Sequence, residues 1–233
     1  MDTEKADLPG PERSRMEPDE FRQIWEELCL RYSDDKELID RYFNEILRRY
    51  AGSRRHYHNR VHIFSLLQFC EEYASMIIDR QVVLFSIFYH DIIYNVLRKD
   101  NEVRSAQLAV KRLKALQVPA ATIEQVKLYI EATKTHAVTE AVTHVSDLQF
   151  FLDFDMSILA ADWAAYEAYT RQVRKEYRIY PDKLYYPGRK KFLEHCLVTS
   201  HIFQAHIFIE RYEEVARENI RREVEEIKTG SRK

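Results

Sequence analysis

Glycine is scarce in this chain, at four of 233 residues, and with it goes the turn chemistry that short, regularly spaced strands need. No series of β-rich runs separated by turn signals occurs. Cysteine is rarer still. Cys29, Cys70 and Cys196 are odd in number, far apart and set in apolar helical patterns, which excludes a disulfide framework or a zinc ribbon and marks them as reduced, buried thiols. Charge of one sign is also missing. The 36 Lys and Arg against 38 Asp and Glu leave a net charge of -2, so no global field draws the chain to nucleic acid or to a membrane surface. No apolar run approaches the roughly 20 residues that span a bilayer, and the first residues lack the apolar stretch of a signal peptide. The expectation is a cytoplasmic chain, or a nuclear one, with no nucleic-acid or membrane partner, that captures any anionic ligand locally.

What is present is helical periodicity. Residues 1–16 are polar, with two prolines and a glycine, and read as a disordered leader. Residues 17–228 then form one all-α domain, a length that buries a single core. Phe21, Ile24, Trp25, Leu28 and Leu30 lie at helical spacing from Pro18. Asp34, with Glu37 three residues on, then opens a second helix toward Arg49 as a capping box. Asn59 is a good N-cap for a third helix, whose first turn holds His62. The segment Val82 to Ile93 is apolar almost all round, as a helix buried on every side must be, and it contains His90 and Asp91. Further helices are expected from Asn101, capped by Asp100, to about Leu116, and from Pro119 to Thr135, Trp163 to Arg178 and Arg189 to Phe203. A charged final helix carries Val215, Ile220, Val224 and Ile227, and packs on the core or on a second copy in a homodimer.

The chemistry starts from the anomaly of an aspartate in so apolar a segment. An ionised carboxylate buried without a partner costs several kcal/mol, so Asp91 calls for a cation. Adjacent helical residues project about 100° apart, so His90 and Asp91 share an ion only at their common edge, with other helices completing the shell. His62 and Asp155 are the candidates, although helical spacing alone does not separate Asp155 from Asp153. Two imidazoles and two carboxylates suit Mn²⁺, Mg²⁺, Fe²⁺, Co²⁺ or Zn²⁺.

Four ordered pieces carry a resemblance. They are Tyr57-His58-Asn59-x-x-His62, Phe88-Tyr89-His90-Asp91-Ile92-Ile93-Tyr94, Asp100-Asn101-Glu102-x-x-Ser105-Ala106 and Phe151-Leu152-x-x-Asp155-Met156-Ser157-Ile158-Leu159. Together, over roughly residues 18 to 227, they resemble the HD-domain superfamily, and within it the family of predicted metal-dependent phosphohydrolases. The resemblance implies an HD-type helical bundle with a metal between central helices, and it names His62, His90, Asp91 and Asp155 as the metal ligands. The Tyr-His-Asn-x-x-His piece also resembles the metal-site motif of cyclic-nucleotide phosphodiesterases, which makes His58 a proton donor to the leaving oxygen. The implied reaction is hydrolysis of a phosphate ester or anhydride, of a nucleotide or related small molecule, by a water that the metal activates. Asp91 doubles as an orienter of that water, and Glu102, in the first turn of a helix, is an auxiliary base or orienter. Lys134, His136 and Arg189 are candidate phosphate contacts. Two other readings stand beside this one: a non-catalytic module that binds metal and nucleotide, and a di-iron HD-type oxygenase with His136 and His144 on a second ion.

Overall fold

The computed structural model describes residues 18–231, so the expected leader lies outside the described residues. Within them the chain is all-α, with ten α-helices and no strand. They are α1 (Pro18–Cys29), α2 (Lys36–Tyr50), α3 (Arg60–Glu72), α4 (Arg80–Tyr89), α5 (Asn101–Ala115), α6 (Ala120–Ala132), α7 (Val145–Met156), α8 (Trp163–Glu176), α9 (Asp182–Val198) and α10 (His206–Thr229). Among the described residues no helix is long and apolar enough to cross a membrane.

Helix α4 is the axis of the bundle. Every residue from Val82 to Tyr89 is buried, as its unbroken apolar run requires, and α3, α5, α6 and α7 pack around it. Two aromatic clusters flank it. Phe21, Trp25, Phe43, Phe85 and Phe88 join α1 and α2 to α4; Phe69, Tyr73, Phe150, Phe154 and Phe208 join α3 and α7 to α10. Edge-to-face and offset contacts of this kind add to the burial energy of each ring. The three cysteines are free and buried.

Several boundaries differ from the expected ones for local reasons. Asp35 rather than Asp34 caps α2, accepting from Leu38 N at 2.9 Å. Asp100 stands at the cap position of α5 without bonding to its backbone, because its carboxylate is taken by Arg98 and Arg104. Leu30 falls past the end of α1 and is exposed. Helix α9 begins at Asp182, ahead of the expected Arg189, and carries Pro187 within its second turn; a proline so near a helix start loses few intrahelical bonds. The change that matters most is at α4, which ends at Tyr89. His90 is the C-cap and Asp91 lies in the following turn, so the two reach the site from a helix end and not from one continuous helical face. The final helix buries Phe208, Tyr212, Ala216, Ile220 and Val224 against the chain's own core.

Candidate metal centre

The C-terminal end of α4, the first turn of α3 and the last turn of α7 meet at one point. His62 Nε2 lies 3.1 Å from His90 Nε2 and 3.1 Å from Asp155 Oδ1. His90 Nε2 is 3.5 Å from Asp91 Oδ2 and 3.8 Å from Asp155 Oδ1. Ligands held about 2.1 Å from a single ion are themselves spaced about 3.0 to 3.4 Å apart in octahedral or tetrahedral shells. His62, His90 and Asp91 offer ligand atoms all within 4.8 Å of one another, and Asp155 joins them through its contacts to both imidazoles.

The donor set fits a divalent cation in protonation as well as spacing. His90 Nδ1 donates to the Ile87 carbonyl at 2.9 Å. A carbonyl can only accept, so Nδ1 carries a proton, and in the neutral ring this leaves the Nε2 lone pair facing the cluster, the tautomer a metal-ligating histidine adopts. Burial pushes the His62 imidazole toward its neutral form, against the pull of Asp155. Burial also opposes ionisation of Asp155, but hydrogen bonds from His136 and His62 outweigh it and hold that carboxyl well below the usual carboxylate range. A neutral His62 beside an ionised Asp155 is the pairing that metal binding needs, and the Nε2 proton that His62 shares with Asp155 would be released as an ion entered.

Asp153, the competitor of Asp155, has a different task. It is buried and accepts from Gln204 N and Ala205 N, each at 2.7 Å, which fixes the start of α10. One residue of α7 thus serves the bundle and the residue two positions on serves the site.

His58 stands beside the cluster, with Nε2 4.0 Å from Asp91 Oδ2. Its other nitrogen, Nδ1, donates to Glu176 Oε2 at 2.6 Å. Burial works against the imidazolium, but Asp91, Glu176 and Asp155 together overcome it and raise the His58 pKa. Glu176 was not singled out from the sequence. It ends α8, its side chain is 0% exposed, and its Oε1 accepts from the backbone N–H groups of His56, Tyr57 and His58, while Oε2 also accepts from Tyr94. Burial would raise its pKa, yet these bonds, led by His58, bring it down to about 2. The signal was available: Tyr166, Tyr169, Thr170, Val173 and Glu176 share one buried face of α8, and a carboxylate in an apolar register needs a partner. Arg55 was missed as well. Its guanidinium donates to the carbonyls of His58 and Ile92, tying the loop before α3 to the turn after α4.

The remaining candidates divide. Glu102 is half-buried in the first turn of α5, and Lys134 is exposed after α6; both line a cavity of about 540 Å³ that opens onto His58, Asp91 and Asp155. His136, with a left-handed φ of 49°, turns its ring toward the cluster, where Nε2 is 3.0 Å from Asp155 Oδ2. That position makes it a partner of Asp155, and it also lines the cavity where a phosphate contact is expected of it. Arg189 also lines the cavity, but its charge is committed. Nε and Nη2 each lie 3.0 Å from Glu223, and Nη1 donates to Tyr169 at 3.1 Å. The candidate phosphate contact thus also ties α9 to α10 through a buried ion pair.

The chain matches no family model, no curated protein and no solved structure.

Proposed function

We propose that this chain is a metal-dependent phosphohydrolase of the HD type, acting on a phosphate ester or anhydride of a nucleotide or related small molecule. The observation that carries the reading is the cluster of His62, His90 and Asp91 with Asp155 against both imidazoles, its two carboxylates lining a cavity beside a histidine with its own carboxylate. These four residues would hold the ion, and Mn²⁺, Mg²⁺, Fe²⁺, Co²⁺ and Zn²⁺ are all compatible with the set. A divalent ion so held lowers the pKa of a bound water and polarises a phosphoryl oxygen.

The chain's own residues supply the proton chemistry. Glu176 accepts from Nδ1 and thereby fixes the His58 ring, leaving Nε2 turned toward Asp91 and the cavity. An imidazolium in that setting can donate the Nε2 proton to a departing oxygen, while the carboxylates around it, Glu176 among them, stabilise its charge and raise its pKa above that of a free ring. Asp91 lies between His58 and His90 and can orient a water as well as bind the ion. Glu102 lines the same cavity and in this reading would act as an auxiliary base.

A built proton donor favours this reading over a non-catalytic metal and nucleotide module, for which the His58–Glu176 pair has no use. For a di-iron oxygenase, a second ion would need further ligands. His136 meets Asp155, but His144 bonds through its carbonyl to Tyr129 and precedes α7 at its far end. The test is phosphate release from nucleoside mono-, di- and triphosphates and cyclic nucleotides by metal-stripped protein reloaded with each ion, beside Asp91→Ala. Turnover that needs the metal and disappears in the variant is the expected result. Full activity in Asp91→Ala, or none anywhere with metal bound, would overturn the reading.

A further inference from the structure

The cavity has little positive charge to spend on a ligand. Asp91, Asp155 and Glu102 bring three carboxylates to its lining. One divalent ion in the candidate centre and the ammonium of Lys134 together cancel them, and an imidazolium at His58 is offset by the Glu176 carboxylate behind it. Arg189 adds no net charge, because its side chain is 7% exposed and paired with Glu223, itself 2% exposed; drawing the guanidinium toward a ligand would take the cation from a buried carboxylate. Sites for polyphosphates answer each added phosphoryl group with lysine, arginine or a glycine-rich run of backbone N–H groups. Among the described lining residues the one glycine, Gly188, lies inside α9, and Lys134 is the one cation without a carboxylate partner.

The same cavity is rich in apolar and aromatic surface. Tyr177, Tyr180 and Tyr185 form a connected group, with ring centroids 6.1 and 5.8 Å from that of Tyr177. Leu184 and Phe192, 64% and 39% exposed, continue it along α9. Tyr94, stacked on His58 at 4.3 Å, carries the aromatic surface up to the proton donor. Exposed apolar side chains gathered around a cavity of small-molecule size indicate what the ligand brings to it.

We propose that the cavity takes a phosphomonoester, one phosphate on an aromatic or apolar body of nucleoside-monophosphate size, and discriminates against di- and triphosphates. The phosphate goes to the metal end, near His58, and the body lies against Tyr177 and Tyr180 of the segment between α8 and α9 and Tyr185 of α9. This inference rests on the hydrolase reading for the place of the phosphate, but what it adds concerns ligand charge and shape.

Two measurements separate the two ideas. Hydrolysis by the Mn²⁺-loaded protein and calorimetric binding to the Mn²⁺-loaded His58→Asn variant would each be measured with adenosine mono-, di- and triphosphate, ribose 5-phosphate and inorganic phosphate. The monophosphate is expected to exceed both the triphosphate and ribose 5-phosphate by at least about tenfold, in kcat/KM and in affinity. Leu184→Arg, which adds a cation at an exposed lining position, is expected to narrow the gap between mono- and triphosphate and leave ribose 5-phosphate unchanged. Preferential binding of the monophosphate without hydrolysis would sink the hydrolase reading and leave the ligand class standing. Hydrolysis with the triphosphate favoured, equal affinity for ribose 5-phosphate, or no binding of any organic phosphate would overturn the proposal.

Discussion

His58 Nδ1 and Glu176 Oε2 lie 2.6 Å apart although 118 positions separate them in the chain. The contact joins the loop ahead of α3 to the last residue of α8, and the same carboxylate gathers three backbone N–H groups of that loop. Glu176 therefore both shapes the backbone that presents His58 and holds its ring.

That arrangement sets the acid behaviour of the fold. A carboxyl whose pKa falls from an ordinary 4.5 to about 2 on folding contributes stability that is complete above pH 4.5 and lost as the pH falls toward 2. The contribution is about 3 kcal/mol for a group of this burial. Chemical denaturation of Glu176→Gln should show a deficit of that order at pH 7 which shrinks between pH 4.5 and 2. A deficit independent of pH would mean that the hydrogen bonds matter and the charge does not.

His58→Asn keeps a donor for Glu176 and removes the titrating ring. The expected outcome is a kcat lower by roughly 10²–10⁴, the usual worth of a positioned proton donor, with Mn²⁺ affinity unchanged. Steady-state kinetics alongside metal titration reads both, and weaker metal binding would place His58 among the ligands.

The two aspartates of α7 should part company on substitution. Asp153→Ala removes the acceptor for Gln204 N and Ala205 N and should lower stability by about 1–3 kcal/mol while metal binding survives. Asp155→Ala should do the reverse, abolishing metal binding with the smaller effect on the apo fold. Melting curves with and without Mn²⁺ separate them.

Arg189→Ala removes the cation of a buried ion pair and leaves the Glu223 charge with neutral partners such as the Tyr166 hydroxyl, and a loss of roughly 3–5 kcal/mol is expected. The paired change Arg189→Met with Glu223→Leu should recover most of it. A melting temperature untouched by Arg189→Ala would return this residue to the phosphate-binding role its position suggested.

The all-α fold was legible because the apolar run of α4 and the 3- and 4-residue spacings around it admit few other structures. The pairing of His62 with His90 was legible only through the ordered pieces, since α3 and α4 meet by packing that no spacing along the chain encodes. Asp153 and Asp155 show the limit well. Both belong to the last turns of α7, and what separates them is the loop before α10, some fifty residues away. Glu176, and the ion pair of Arg189, were not legible for a related reason. A charged side chain in a helical pattern looks solvated until the fold supplies its partner, and here the partners are His58 and Glu223.

The most direct measurement is titration of Mn²⁺ into metal-stripped protein, followed by calorimetry and by melting temperature. Saturable binding that stabilises the wild-type chain, by about 2.7 kcal/mol at a hundredfold excess over Kd, and that disappears in His90→Ala and Asp155→Ala, is the expected result. Binding of equal strength in either variant, or none in the wild-type chain, would contradict a metal centre built from His62, His90, Asp91 and Asp155.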